Sequence, residues 1–260
     1  MPKLYFSTLA VVAALAFSVT ALPVAAASDP ACSPTAPLEV RLSAALSKTD
    51  RPSDQRTKDE SRLSETRFLL TYVKPGDHIL DLGSGGGYAA MIMSAAVCDG
   101  TVDSQNPKTW DVDFKAGAAR QALAAKRPNV HLLQTDFDKV PVPDRLYDLI
   151  FIGTIYHDTF NEADHDALRM DRALFAALKP GGLVVLTDHK ATDGAGVSTT
   201  NTLHRIEKAT VLADFKAAGF LLMDDSKALS NSTDDHSLNV FDPKIRGKTD
   251  RMALVFRKPS

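Results

Sequence analysis

The residues best equipped for chemistry stand in one short run, "HILDLGSGGGYAAM", at 78–91. An apolar strand-like stretch ends near Asp81, and Gly83, Gly85, Gly86 and Gly87 follow before a helical segment. Glycines let backbone approach a ligand closely, and the N–H groups of a following helix favour binding there. A dinucleotide turn requires G-x-G-x-x-G or A, but Tyr88 occupies the third small-residue position. Asp81 would repel a pyrophosphate and suits a ligand carrying an ammonium group. Both residues argue against a nicotinamide dehydrogenase. A second set of groups is imidazole. Five of the seven histidines, His157, His165, His189, His204 and His236, lie in the C-terminal half. Such rings titrate near neutrality and can take a proton from a reacting group.

Positioning these groups falls to alternating elements. Strand-like runs are "HILDL", "GTVDS", "NVHLLQ", "YDLIFI", "GLVVLTD" and "GFLLMDD". Between them lie helix-like segments, "YAAMIMSAAV", "DFKAGAARQALAAKR", "HDALRMDRALFAALK" and "RIEKATVLADFKAAG". This alternation predicts an α/β sheet of mainly parallel strands with helices on both faces. The last run, "TDRMALVFRKP", follows "GFLLMDD" without a crossover helix, so it must pair antiparallel. The polar connection at 229–249 is either a lid over the site or an idle surface loop. Two helical segments, "LEVRLSAALS" and "RTKDESRLSETRFLLTYV", precede the "KPGD" turn and the first strand. In such sheets ligands collect at the carboxyl ends of strands where strand order reverses.

"DHILDLGSGGGYAA" resembles motif I of the class I S-adenosylmethionine-dependent methyltransferases. "VKPGD", "YDLIFI" and "LKPGGLVVLTD" extend the resemblance over residues 75–260. "YHDT", "DHKA", "LHRI" and "GKTDRMALVF" resemble a group of exported bacterial proteins described as predicted methyltransferases. The resemblance implies a Rossmann-like fold, a seven-stranded sheet of order 3-2-1-4-5-7-6 with the last strand antiparallel. It implies S-adenosyl-L-methionine as cofactor, with Asp81, Gly83, Gly85 and Gly87 at its methionine end. Asp136 and Phe137, after the third strand, would hold the adenine. Where the family places an acidic ribose clasp after the second strand, this chain has Gln105 and Asn106. Asp103 is the other candidate, though strand alternation turns it elsewhere.

Methyl transfer is an in-line displacement, so the protein positions the acceptor and removes its proton where needed. The resemblance puts acceptor-side residues after the fourth strand, at Tyr156, His157 and Asp158. His157 or Asp158 is the expected general base, with His189 and His204 orienting the acceptor. Asp158, Asp188, His189 and His204 could form a metal set, but no H-x-x-x-H spacing accompanies them, and no metal is expected. Asp234, Asp235 and His236 read as a solvated turn. His78 and His131, at strand starts, read as structural. Trp110 either walls the cofactor cleft or packs. Arg56, Asp59 and Arg62 read either as a wet helix face or as a gate over the acceptor pocket.

The 260 residues are 44% hydrophobic and 24% charged, as expected for a globular chain. Thirty basic against 32 acidic side chains leave no electrostatic footprint for nucleic acid. Residues 1–27 read as a cleaved signal peptide, with Lys3, an apolar run and small residues before Ser28. A periplasmic or secreted protein without stable membrane insertion follows from that reading. Residues 28–74 would be an extended tether and helical cover, and 75–260 the methyltransferase-like domain. Cys32 and Cys98 either form a disulfide, as an oxidising compartment would allow, or remain two thiols. The function that emerges is methyl transfer to a small-molecule acceptor. Its rival is a non-catalytic periplasmic binding module on the same fold, because S-adenosylmethionine is made in the cytoplasm.

Overall fold

The computed structural model describes Met1, Lys3 and residues 29–113, 115–164 and 166–260. Its sheet is built from β1 (His78–Leu82), β2 (Thr101–Asn106), β3 (Val130–Gln134), β4 (Tyr147–Gly153), β5 (Leu178–His189), β6 (Leu221–Ser226) and β7 (Arg251–Arg257). They hydrogen-bond in the order β3-β2-β1-β4-β5-β7-β6. β1 to β5 are mutually parallel, whereas β7 is antiparallel to both β5 and β6. The expected architecture is therefore present, including the reversed strand that a crossover-free connection requires.

Three helices precede the sheet, α1 (Leu38–Leu46), α2 (Ser53–Arg56) and α3 (Asp59–Tyr72). The others are α4 (Tyr88–Ala96), α5 (Lys108–Asp113), α6 (Ala116–Lys126), α7 (Tyr156–Thr159), α8 (Ala167–Ala177), α9 (Thr200–Leu203) and α10 (Lys208–Ala217). One core joins Leu42, Phe68, Leu69 and Ile92 to Val102, Val185 and Val255 of the sheet. The second joins Leu174 and Phe215 to Leu80, Ile150 and Phe256. Phe215 stacks on Phe256 with ring centres 4.2 Å apart. β1, buried at every residue, carries Asp81 into the middle of the molecule.

Three local expectations change, and one alternative left open is decided. Residues 30–32 form a 3-10 turn, with Asp29 accepting the Ala31 N–H at 2.9 Å, where an extended tether was expected. A disulfide joins Cys32 to Cys98 just beyond α4. The segment read as one helix at 113–127 starts only at Ala116, since Lys115 adopts left-handed φ between α5 and α6. Asp234 is not solvated, and both its oxygens accept from the buried Arg205 at 3.0 Å. It also accepts the Asp250 and His236 N–H groups, which pins the connection between β6 and β7 to the body of the protein. A buried carboxylate needs such partners, and sequence adjacency to Asp235 gave no sign of them.

Among the described residues no helix is long and apolar enough to cross a membrane. The expected signal peptide, save Met1 and Lys3, lies outside the described residues, as does His165.

Candidate active site

The glycine turn links β1 to α4, and its glycines do different jobs. A Cβ on Gly83 would come within 2.8 Å of Ile155, so this glycine permits close packing of the β4–α7 loop. A Cβ on Gly87 would meet Leu123 at 2.9 Å, and Gly87 also has φ of 82°. Gly87 therefore serves helix packing and the turn itself. Gly85 has nothing within 4 Å of the corresponding point, and it is the glycine open to a ligand.

Asp81 lies at the floor of the adjoining cleft, together with Gly83, Ser84, Tyr88 and Arg62. Ser84 Oγ donates to its Oδ2 at 2.6 Å. Burial pushes Asp81 up to about 6, although the Ser84 hydroxyl, the Ala90 N–H and Arg120 all favour the charged form. A bound ammonium group would complete that compensation. The residues thus fit the methionine end of S-adenosylmethionine.

The ribose end differs from expectation. Gln105 Oε1 accepts the Gly83 N–H at 2.9 Å, and its Nε2 donates to Thr135 O at 2.6 Å. Asn106 Oδ1 accepts the Gly85 N–H at 3.0 Å, while its Nδ2 donates to Gly85 O and to Asp111. Both amides are fully buried and engaged in holding the turn. They brace the cofactor loop instead of offering a clasp. Behind them Arg120 holds Asp111 through one guanidinium nitrogen at 2.6 and 2.7 Å and also bonds Ser104. Asp103 points away, toward Tyr147, His78 and His131, as strand alternation required.

Phe137 is buried and lies 3.4 Å from the point where a Gly83 Cβ would sit. Asp136 is exposed and pairs with Lys139 at 2.6 Å. It lines a neighbouring cleft with Pro107, Glu162 and Arg169, not the glycine cleft. Trp110 does wall the glycine cleft, and it meets Phe137 edge-on at 5.2 Å.

Three of the expected chemical residues converge at the carboxyl ends of β4 and β5. The His157 ring lies 5.5 Å from that of His204 and 6.0 Å from that of His189. His157 is buried, with Nδ1 2.7 Å from Asp188 and Nε2 3.1 Å from Asp158. Burial would lower its pKa, but the Asp188 charge and the hydrogen bonds to Asp158 and Asp188 outweigh that and raise it to about 10. A ring protonated on both nitrogens has no lone pair, so at neutral pH His157 donates and is not the base. His204, at a left-handed φ of 55°, brings Nδ1 to 3.2 Å from the same Asp158 oxygen. His189 goes the other way. Burial, then the neighbouring positive charges of His157, Arg251 and Arg205, hold it well below its usual range and neutral. Its Nδ1 sits 2.8 Å from Thr249 Oγ1, leaving Nε2 as the ring nitrogen not engaged with Thr249.

Ligand atoms of His157, Asp158 and His204 lie within 4.8 Å of one another, close enough for one cation. Two histidines converging on one Asp158 oxygen also account for that spacing.

A groove opens from this region. Lys58, Ser61, Arg62 and Glu65 of the α2–α3 segment form one wall. Phe241, Arg246 and Thr249 of the β6–β7 connection form the other, with Thr154 and His189 between them. Arg62 and Thr154 also line the glycine cleft, so the two spaces adjoin. The 229–249 segment thus borders the site. Asp59 is committed to structure. It binds Arg51 and the Tyr88 hydroxyl.

Several supporting groups escaped the sequence reading. Glu65 accepts from Thr187 at 2.6 Å and pairs with Arg251 at 3.2 Å, joining α3 to β5 and β7. Arg120 and Arg205 are fully buried yet sit in helical or polar stretches that look exposed. Single-residue patterns carry no signal for pairs separated this far in the chain.

Residues 79–182 match the family model described as a methyltransferase domain. The chain is 28% identical over 119 residues to the ubiquinone/menaquinone biosynthesis C-methyltransferase UbiE of Ectopseudomonas mendocina (strain ymp). It is 26% identical over 126 residues to the malonyl-acyl-carrier-protein O-methyltransferase of Marinomonas sp. (strain MWYL1). These alignments take in 46% and 47% of this chain, and 44% and 42% of the respective relatives, so the chain spans less than half of either. A SAM-dependent methyltransferase from Aquifex aeolicus has a similar fold, with a TM-score of 0.54 at 18% identity over 80% of this chain and 98% of that one. The family model and both relatives are described as methyltransferases, and the Aquifex aeolicus structure shares the fold.

Proposed function

We propose that this protein transfers a methyl group from S-adenosylmethionine to a small-molecule acceptor seated in the groove between α3 and the β6–β7 connection. One observation carries the reading. Asp81, buried at the tip of β1, lines a cleft that shares Arg62, Gly83, Ser84 and Tyr88 with the cleft of the open Gly85, and the latter adjoins the groove lined by His189. When bound, S-adenosylmethionine supplies an electrophilic methyl carbon on a sulfonium sulfur.

The chain's own residues do the rest. Asp81 binds the ammonium group, and Gly85 lets the ligand lie against the turn. Gln105 and Asn106 hold that turn rigid, so positioning is prepaid before the ligand arrives. His189, neutral and beside the groove, accepts the proton of a hydroxyl or amine acceptor. His157 and Asp188 lock the scaffold behind it, while His204 and Asp158 face the outer side. Burial, with the positive His157 beside it, keeps His189 unprotonated at neutral pH.

We also propose, from the signal-peptide reading of residues 1–27, that the protein works outside the cytoplasm. The Cys32–Cys98 disulfide supports it, since such bonds persist in oxidising compartments. Calorimetric titration with S-adenosylmethionine and S-adenosylhomocysteine tests the cofactor assignment. Binding that disappears in Asp81→Ala is expected; a folded protein that binds neither would overturn it and favour the binding-module alternative.

A further inference from the structure

The groove beside the cofactor cleft is unevenly charged. Lys58, Arg62, Arg246 and Arg251 line it, against the single carboxylate of Glu65. Glu65 is already committed to Thr187 and Arg251, which leaves three cations over. Arg62 contacts the Tyr88 face at 5.0 Å and Arg246 the Phe241 face at 5.9 Å. Among the described residues, neither these two nor Lys58 forms a side-chain ion pair with a carboxylate. The net charge of the whole chain is −2, so this is a local concentration and not a general basicity. Phe241 adds an exposed aromatic face to the same wall.

We infer that the methyl acceptor is a small organic anion with an apolar body. This rests on the methyltransferase reading and adds the acceptor's chemical class to it. Its carboxylate or phosphate faces Arg246 and Lys58, its apolar part lies on Phe241, and its nucleophilic atom faces His189 and the glycine cleft. A guanidinium presents paired donors to a carboxylate, and a charged hydrogen bond is about twice as strong as a neutral one. In the transfer, the acceptor's lone pair forms the new bond to the methyl carbon as the carbon–sulfur bond breaks. The bonding pair stays on sulfur, and the acceptor's proton passes to His189.

Three probes that share a phenol and differ in tail charge test this: 4-hydroxybenzoate, 4-hydroxybenzamide and tyramine. Each is titrated calorimetrically into the purified protein, with and without S-adenosylhomocysteine. The benzoate is expected to bind at least tenfold more tightly than the amide and tyramine more weakly still. That preference should shrink as salt is raised. Arg246→Glu should abolish it, Arg246→Lys should retain most of it, and S-adenosylhomocysteine should bind both variants as it binds the parent. Equal binding of the three probes, binding of none, or a benzoate preference untouched by Arg246→Glu would overturn the inference. Anion binding that persists where S-adenosylhomocysteine fails to bind would sink the cofactor reading instead.

Discussion

His157 and Asp188 form a buried pair, Nδ1 to Oδ1 at 2.7 Å, and Asp188 also accepts the His157 backbone N–H at 2.8 Å. The contact fixes α7 onto the end of β5 and holds the imidazole charged. Its folded pKa, about 10, stands above the ordinary 6.5. The associated stability is therefore complete below about pH 6.5 and is lost as pH rises through about 10. Thermal melts between pH 6 and 10.5 should show that decline in the parent. His157→Gln should melt lower at pH 7 and show a flatter profile. An unchanged slope would mean that the ring is neutral in the folded state.

Asn106 looks like the place to restore a ribose clasp, yet its neighbours forbid it. Its Nδ2 donates to Gly85 O and to Asp111 Oδ1 at 2.8 Å. Asn106→Asp would replace that donor with a second carboxylate facing Asp111. Chemical denaturation should show a loss of about 1–3 kcal/mol, and cofactor binding should weaken, not improve. Tighter binding in the variant would show that the turn does not need this brace.

Arg205 and Asp234 are both buried, and they tie the β6–β7 connection to the segment after α9. Asp234→Ala leaves a buried guanidinium unpaired, at a cost of about 3–5 kcal/mol. Limited proteolysis should then cut the 229–249 segment, which the parent protects. Equal resistance in the two proteins would show the segment to be held by other contacts.

Cys32 and Cys98 are 66 residues apart. Closing a loop of that size restricts the unfolded chain enough to stabilise the fold by about 4 kcal/mol on the loop-entropy account. Denaturation with and without reductant should show a loss of that order. A Cys32→Ser, Cys98→Ser double variant should be as weak as the reduced parent and insensitive to reductant.

Asp158 Oδ1 lies 3.1 Å from His157 Nε2 and 3.2 Å from His204 Nδ1, contacts that account for the spacing of these three side chains. Treatment with a chelator should leave cofactor binding and any methyl transfer unchanged, and elemental analysis should find no stoichiometric metal. Activity restored by one added divalent metal would identify the three side chains as ligands.

Local chemistry in the sequence was enough for much of this protein. Apolar runs alternating with helical periodicity marked the layers, and the missing crossover before "TDRMALVF" required the reversed strand. Asp81 at a strand tip before a glycine turn suggested a ligand type. The readings of the layers and of the reversed strand succeed because residues close in the chain share one element, whose geometry repeats every few residues. The glycines, however, were legible only as a group. Gly85 could be separated from Gly83 and Gly87 only when Ile155 and Leu123 were seen to occupy the space beside the latter two.

Tertiary structure decided the charges and the roles. His157 looked like a base because histidine titrates near neutrality. It is held charged because Asp188, at the end of β5, lies 2.7 Å away, with Asp158 on its other nitrogen. Gln105 and Asn106 stood at the ribose position by strand register, yet their amides face the turn between β1 and α4. Asp234 looked solvated until Arg205 reached it from 29 residues away. An ionisable group's state depends on its burial and on the charges within a few ångströms. Those neighbours come from distant parts of the chain, so composition and spacing could name the reactive groups, but only packing could assign their protonation and partners.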